Sequence, residues 1–288
     1  MNVLSDKIIF WIYDLMYFGI AKFMQEKHNG EFSAIVDVTN KPKKFYQQQK
    51  IVNFTKTWFY HDHIITDKKA DLSYLKSIEE KYDINLWLLA YNERIFYNFN
   101  EFYKFNVDEV MCILEQECRL FENILDEAKP DFLVMPIPNF HHDQLFYLMC
   151  KKRGVKVLLL TPSRFGNRSM ISENADSLDM AYNPNENLPE RSLEELEKYL
   201  HHYDIFEEGV EVRNRFATSN FGFLKSALNF LLTKYDNPKT HYTYYGRTKL
   251  KVLLHSLKYS PITRSRELFL RKNCVYKIDN KTPFIFFP

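Results

Sequence analysis

The sequence predicts an α/β protein in which a parallel sheet is flanked by helices and is followed by a mainly helical C-terminal segment. Fully apolar runs of the kind found in buried strands occur at KIIFWIYD, DFLVMP and VKVLLL. Amphipathic helices alternate with these runs, and the connections between them are short. This alternation indicates a Rossmann-like sheet within a domain that covers residues 1–175.

The first part of the chain predicts strand, helix and strand. After KIIFWIYD, apolar residues repeat at helical spacing from Leu15 to Met24, and Asn29 with Gly30 ends this helix. The run EFSAIVDV is the next strand, and TWFYHDHII is a candidate third strand. The segment KADLSYLKSIEEKYDI is an amphipathic helix, and we interpret NLWLLAYNERIFYNF as helical too.

The best-defined section begins with a long helix that starts at Val107 and ends at AKPD, because proline cannot continue a helix. Its apolar repeat includes one charged residue, Glu117. A strand from Phe132 to Met135 follows, then a helix in HHDQLFYLMCKKRG, the strand VKVLLL and the loop TPSRFGNRS. The order helix, strand, helix, strand again indicates a parallel sheet.

Residues 176–275 form the predicted helical segment, with one charged helix in RSLEELEKYLHHYD. Two or three basic helices are expected within 219–272, broken by DNPKT and by Pro261. Residues 1–210 carry 24 Lys and Arg against 33 Asp and Glu, whereas residues 211–273 carry 13 against 3. The basic segment therefore indicates an anionic partner: lipid head groups, a phosphate-bearing substrate or the protein's own acidic surface. Nucleic acid is not expected, since no known nucleic-acid module is visible.

Composition excludes several classes of protein. Only 7 of 288 residues are glycine, and neither GxGxxG nor GxxxxGK[ST] occurs, so no nucleotide cofactor is expected. The apolar run from Ile8 to Met24 is too short to span a membrane and contains Asp14 and Lys22. No secretory signal precedes it, and a cytoplasmic location is expected.

Ligands of an open parallel sheet bind beyond the carboxyl ends of its strands, which selects three loops. The first contains Asp14, and the second, PIPNFHHDQ, contains Asn139, His141 and His142. Asp14, His141 and His142 are candidate general bases, because histidine titrates near neutral pH and a carboxylate can orient it. The alternative is that Asn139 or Asp143 caps the next helix and the histidines are solvated.

The third loop contains Ser163, Arg164 and Arg168. Two guanidinium groups beside a hydroxyl suit a phosphate or a carboxylated sugar, although an arginine could instead pair with the acidic body. In HDH, His61 and His63 share one face of the expected strand. They could hold a metal ion only with a third ligand from elsewhere in the chain, and no metal site is expected.

Two stretches form a recognisable pattern: the one from YNERIFYNF through FLVMP, and HHDQLFYLMCKKRGVKVLLLTPSRFGNRSMIS, with KPD before one strand and PSR after another. Over residues 85–175, and more weakly over the whole chain, this pattern resembles prokaryotic capsule or surface polysaccharide biosynthesis proteins, which look like glycosyltransferases of the two-lobed GT-B type. In such proteins a helical segment leads to a strand that begins the second lobe. The final stretch NKTPFIFFP is similar to that strand, so residues 276–288 are expected to begin a lobe that is missing here.

The resemblance implies the acceptor-side half of a glycosyltransferase, inactive without its nucleotide-sugar-binding lobe. Asp14, His141 and His142 are then candidate bases for the acceptor hydroxyl, and Asn139, Ser163, Arg164 and Arg168 are candidate substrate contacts. The expected partners are a sugar acceptor, including one carried on a lipid, and an anionic surface at the inner face of the membrane. A nucleotide-sugar would bind only through the missing lobe. Two alternatives stay open: half of a nucleotide-sugar epimerase, or a binding or adaptor module without catalysis.

Overall fold

Six strands form one mostly parallel sheet, which confirms the predicted fold class. The computed structural model describes residues 5–65, 69–97, 101–162, 169–177, 179, 192–202, 225, 228–233 and 240–274. The chain forms two compact units, residues 1–245 and residues 246–288, and the sheet lies in the first. Among the described residues, no helix combines the length and apolarity needed to cross a bilayer.

The strand order is β3-β2-β1-β4-β5-β6. The first five strands in this order are parallel, and β6 pairs antiparallel with β5 at the edge. The chain winds outward in one direction through β2 and β3 and in the other through β5, so the switch point lies between β1 and β4. The strands are β1 (Asp6–Ile12), β2 (Gly30–Val36), β3 (Lys56–Phe59), β4 (Phe132–Pro136), β5 (Lys156–Pro162) and β6 (Ser169–Ser172).

Helices cover both faces of this sheet. In the described part of the first unit, the helices are α1 (Leu15–Lys27), α2 (Asn40–Gln48), α3 (Leu72–Tyr82), α4 (Leu86–Asn92), α5 (Arg94–Tyr97), α6 (Val107–Ala128), α7 (His141–Lys152) and α8 (Leu193–His202). The second unit contains α9 (Lys249–Asn273). Short 3-10 helices occupy Tyr60–Asp62 and Tyr242–Tyr244.

Two apolar cores follow from the alternation of side chains along each strand. In β1, Ile9 and Trp11 pack with α3, α4, α6 and α7 on one face. Ile8, Phe10 and Ile12 pack with α1 and α2 on the other face. Because both faces are covered, the strands are apolar throughout, as the sequence shows.

The long helix α6 has clear signals at both ends. The Asn106 side chain accepts a hydrogen bond from the Glu109 backbone N–H at 2.9 Å, and the Glu109 carboxylate accepts one from the Asn106 backbone N–H. This reciprocal capping box satisfies two backbone donors that the first turn leaves without partners. Lys129 ends the helix with φ at 45°, and Pro130 follows.

Three features differ from the expectations. Ser169–Ser172 forms an antiparallel edge strand on β5, whereas the sequence predicted only a loop at its start. Helix α2 was not predicted, because its sequence NKPKKFYQQ is mostly polar. The third strand ends at Phe59, and a 3-10 helix turns the chain there, so the prediction that His61 and His63 share a strand face is wrong.

The predicted break at Pro261 is also wrong. Helix α9 runs through this residue, although proline removes one backbone hydrogen bond and crowds the preceding turn. Residues 276–288, which carry the predicted start of a second lobe, lie outside the described part of the chain. The predicted division of the chain at residue 175 stays a prediction.

Candidate functional site

A group of titratable side chains lies at the carboxyl edge of the sheet, on both sides of the switch point. Because parallel strands end at the same edge, the residues that follow β2, β3 and β4 come together there. Four further side chains join them. One comes from α6, one from the residue after α4, and two from residues 240–245. We call this group the histidine cluster: Asp37, Tyr60, His61, Glu93, Glu117, His141, His142, His241 and Tyr242.

Asp37 is the first residue after β2, and it holds two histidines. Its backbone N–H donates to the Ile12 carbonyl at 2.8 Å, which fixes its position beside the end of β1. Its Oδ1 lies 2.9 Å from Nε2 of His61, and its Oδ2 lies 3.1 Å from Nε2 of His142. Burial on its own would raise the pKa of Asp37, but the hydrogen bonds and charges of His142 and His61 hold this pKa far below its usual range. Asp37 is therefore a carboxylate that accepts from both rings.

His142 is held on both faces and at both nitrogens. Its ring stacks on Tyr60 at 4.7 Å between centroids and on Phe140 at 5.6 Å. Its Nε2–H donates to Asp37, and its Nδ1 lies 3.4 Å from the hydroxyl of Tyr242. Burial lowers the pKa of His142, but the Asp37 carboxylate outweighs this and the net shift is upward. The ring is thus fixed in orientation.

His141 lies fully buried between two carboxylates. Its Nδ1 is 2.9 Å from Oε2 of Glu93, and its Nε2 is 2.9 Å from Oε1 of Glu117. The His141 backbone N–H also donates to Glu93 at 3.0 Å. Burial on its own would lower the pKa of His141, but Glu117 and Glu93 raise it to about 10. In turn, burial would raise the pKa of Glu93, and His141 lowers it to about 2.

Glu117 projects from the apolar face of α6 and is fully buried. Its Oε1 accepts from the Tyr60 hydroxyl at 2.5 Å and lies 2.9 Å from His141. Its Oε2 has no hydrogen-bond partner among the described residues. A buried carboxylate oxygen without a partner is costly, so this atom requires an explanation.

Residues 240–245 close over the cluster. Tyr242 is fully buried, and its hydroxyl lies 3.4 Å from the hydroxyl of Tyr60. His241 stacks on His61 with 3.6 Å between ring centroids and an interplanar angle of 11°. The Tyr244 hydroxyl forms a hydrogen bond with Thr39 at 3.0 Å, just beyond β2. A contact between residues 205 positions apart in the sequence thus completes the site.

The other predicted site residues have structural contacts. The Asp14 carboxylate caps α1 by accepting from the backbone N–H groups of Met16 and Tyr17. The backbone N–H of Asn139 donates to Asp143 at 2.9 Å, and its side-chain amide donates to a nearby carbonyl. Asp143 also accepts from the Phe140 backbone N–H, so the alternative in which Asp143 caps α7 is confirmed. His141 and His142 are nevertheless buried rather than solvated.

Ser163, Arg164 and Arg168, the predicted anion contacts, lie outside the described residues. Of the residues that the sequence selected, the structure brings His141 and His142 together in the cluster. These two rings meet edge to face, with 5.3 Å between their centroids.

Several members of the cluster were missed, and two of them had a sequence signal. Asp37 ends the apolar run EFSAIVDV, so the rule that selected Asp14 also selects Asp37. Glu117 occupies a position in the apolar repeat of α6, where a charge is unexpected. Glu93, Tyr60 and Tyr242 had no comparable signal, because their roles depend on partners far away in the sequence.

No protein-family model, curated protein or solved structure matches this chain. The fold and the site by themselves define a Rossmann-like α/β protein with a buried histidine–carboxylate cluster at the switch point of its sheet. Because one fold supports many chemistries, the function has to be argued from the cluster.

Proposed function

We propose that this chain is the acceptor-side half of a glycosyltransferase for capsule or surface polysaccharide synthesis. The observation that carries the proposal is the pair formed by His61 and Asp37 at the carboxyl edge of the sheet, 2.9 Å apart. Transfer of a sugar to an acceptor hydroxyl needs a base that takes the hydroxyl proton, and a histidine oriented by a carboxylate supplies one. The resemblance of residues 85–175 to such transferases supports the same assignment.

Each group near Asp37 has a role in this proposal. Asp37 fixes the tautomer of His61 by accepting from Nε2–H, and its negative charge stabilises the imidazolium that forms when His61 takes a proton. His142 supports Asp37 from the other side and is itself held by Tyr60 and Phe140. The side chain of Asp37 is 14% exposed, against 9% for His61 and 6% for His142.

The transfer step follows from these positions. The acceptor oxygen loses its proton to His61 as it attacks the anomeric carbon of the donor sugar, and the nucleotide diphosphate leaves with the electron pair of the broken bond. The donor is held by a second lobe, and closure of the two lobes excludes water. Ser163, Arg164 and Arg168 follow β5 and are assigned to a phosphate or carboxylate of the acceptor.

The basic segment also supports a location for the protein at a membrane surface. Helix α9 carries seven Lys and Arg and one Glu, and none of its residues is buried. A lipid-linked acceptor lies at an anionic membrane surface, which attracts such a helix. We therefore assign the protein to peripheral binding at the inner face of the membrane.

Ligand-observed NMR on the 288-residue chain tests the function, with acceptor oligosaccharides and nucleotide-sugars as probes. We expect oligosaccharide binding, and about tenfold weaker binding by Asp37→Asn and His61→Gln, since one lost hydrogen bond is worth about 1.4 kcal/mol. The control is Lys76→Gln on the exposed face of α3, which should bind as the wild type does. Tight nucleotide-sugar binding or turnover by this chain alone contradicts the proposal and favours an epimerase. Binding of neither probe favours an adaptor module and also contradicts it.

A further inference from the structure

Glu117, His141 and His142 are buried together, and each offers a ligand atom within 4.8 Å of the other two. We propose that these three side chains bind a divalent transition-metal ion, and that Zn²⁺ fits them best. Imidazole nitrogen and carboxylate oxygen are ordinary zinc ligands, whereas Ca²⁺ and Mg²⁺ prefer sites made of oxygen atoms. This site is distinct from the predicted pair His61 and His63, since neither of those residues belongs to it.

The first argument is that both histidines are oriented as metal ligands are. In metal sites, the ring nitrogen that does not bind the ion usually donates its proton to a carboxylate. Here Nδ1 of His141 is paired with Glu93 at 2.9 Å, and Nε2 of His142 is paired with Asp37 at 3.1 Å. The opposite nitrogens, Nε2 of His141 and Nδ1 of His142, face Glu117 and the Tyr242 hydroxyl, and they are the atoms that bind the ion in this proposal.

The second argument is independent of the histidines. Oε2 of Glu117 is buried and has no hydrogen-bond partner among the described residues. A bound cation removes the cost of this arrangement, because it provides the missing partner for the carboxylate. The other oxygen of the same carboxylate, Oε1, lies 2.9 Å from Nε2 of His141, so Glu117 is directly beside a histidine of the trio.

Charge gives a third argument. The carboxylates of Asp37, Glu93 and Glu117 surround His141 and His142 in a region with little solvent. A dication placed among these side chains offsets two of the three negative charges. Buried charges are stable when they are paired or when they coordinate a metal ion.

The geometry requires only small shifts. Tetrahedral zinc with bonds of about 2.0–2.1 Å separates its ligand atoms by about 3.3 Å, which lies within the 4.8 Å limit of the trio. The hydroxyl of Tyr242 lies 3.4 Å from Nδ1 of His142 and also 3.4 Å from the hydroxyl of Tyr60. This hydroxyl therefore lies beside the proposed site. The ion joins α6 and α7, and its role is structural, whereas the proton chemistry belongs to His61 and Asp37.

The test measures metal binding and stability by the full chain, prepared without a histidine tag and dialysed against a chelator. Titration with Zn²⁺ should show one tightly bound equivalent and an increase in Tm that the chelator reverses. His142→Gln and Glu117→Gln should each weaken binding at least 100-fold, and Glu93→Gln should weaken it 10–100-fold, because Glu93 only orients His141. The control His28→Gln, whose ring pairs with Asp6 at the surface, should bind like the wild type.

Three results overturn the inference: no stoichiometric binding, no zinc-dependent change in Tm, or equal affinity in folded His142→Gln and wild type. Circular dichroism shows whether each variant is folded, and Co²⁺ substitution adds a readout that unfolding cannot imitate, because tetrahedral Co²⁺ has a strong visible spectrum. Acceptor binding is measured separately. Zinc binding without acceptor binding contradicts only the proposed function, and acceptor binding without zinc binding contradicts only this inference.

Discussion

Oδ2 of Asp37 lies 3.1 Å from Nε2 of His142, although 105 positions of sequence separate the two residues. The contact exists because β2 and β4 both flank β1 in the sheet and end at the same edge. Asp37 follows β2 directly, and His142 begins the helix that follows β4. The contact therefore joins the two halves of the sheet across its switch point.

Replacing Asp37 by Asn should destabilise the protein. The amide has one acceptor oxygen and no charge, so it cannot accept from both His61 and His142. We expect a loss of about 1–3 kcal/mol in the free energy of unfolding, measured by urea denaturation. Asp14→Asn is the matched control, because asparagine caps a helix as well as aspartate does, and its change should be small. Equal losses in the two variants would contradict the role of Asp37.

The hydroxyl groups of Tyr60 and Tyr242 should contribute unequally to the free energy of unfolding. The Tyr60 hydroxyl donates to Glu117 at 2.5 Å, whereas that of Tyr242 lies 3.4 Å from its neighbours. In chelator-treated protein, Tyr60→Phe should cost about 1–3 kcal/mol, because it removes a donor from a buried carboxylate. Tyr242→Phe should cost less under the same conditions, since a contact of this length is weak. A larger loss in Tyr242→Phe, measured by thermal unfolding, would show that this ranking is wrong.

Glu122 should stabilise the protein at neutral pH, where its carboxylate is ionised, and not at acidic pH. Its carboxylate accepts from Tyr74 at 2.9 Å and from Lys81. Burial raises its pKa, but the hydrogen bonds from Lys81 and Tyr74 outweigh this, so the folded-state pKa lies below the ordinary value of 4.5. A carboxyl group whose pKa is lowered by folding stabilises the protein above its unfolded pKa, and this contribution is lost as the pH falls through the folded pKa.

The measurement compares Glu122→Gln with the wild type across pH. We expect the variant to be about 1 kcal/mol less stable at pH 7 and equally stable well below pH 4.5. Glu80→Gln is the control, because that side chain is 70% exposed and lies 3.9 Å from Lys76. A difference between Glu122→Gln and wild type that does not change with pH would exclude this explanation.

Helix α9 should become more stable when Pro261 is replaced. The proline has no N–H to donate to the carbonyl four residues earlier, and its ring crowds the preceding turn. Pro261→Ala should stabilise the helix by up to about 3 kcal/mol, measured as slower amide exchange on both sides of the site. The neighbouring change Ser260→Ala is the control and should stabilise the helix by only about a few tenths of a kcal/mol. Faster exchange in Pro261→Ala would mean that the proline is needed for the helix to form.

The protein should bind anionic vesicles and be released by salt. Each Lys or Arg near an anionic leaflet contributes about 1 kcal/mol, and the attraction decays within a Debye length of about 10 Å at 0.1 M salt. Co-sedimentation with anionic and neutral vesicles at two ionic strengths measures this. A triple change of Arg264, Arg266 and Arg271 to Gln should weaken binding about 100-fold.

The matched control for the vesicles changes Lys41 and Lys44 of α2 to Gln, which removes basic charge outside the basic segment. Its binding should stay close to that of the wild type. Equal binding to anionic and neutral vesicles, or no binding to either, would contradict the membrane assignment. The basic residues then serve to neutralise acidic protein surface instead.

Much of the sheet and its helices was predictable because the signals are local. The apolar run from Ile8 to Ile12 and the helical repeat from Val110 to Leu125 are each contained in one element. The alternation of such elements implies a parallel sheet and places the ligand site at its carboxyl edge. Composition alone also separates the acidic residues 1–210 from the basic residues 211–273.

Other features required the tertiary structure. The edge strand Ser169–Ser172 forms because β5 offers backbone partners, so it cannot be read from its own segment. The chain around Pro261 stays helical despite a local signal to stop, although no residue of α9 is buried.

The sequence by itself determined the fold class, the edge of the sheet at which the cluster lies and two members of the cluster, His141 and His142. Only the tertiary structure decided that His142 pairs with Asp37, that His141 lies between Glu93 and Glu117, and that residues 240–245 close the site. The physical reason is that hydrophobic periodicity acts over a few residues, whereas the hydrogen bonds of the site join residues up to 205 positions apart. Their distances, and the pKa shifts that follow from them, are set by how the helices pack on the sheet.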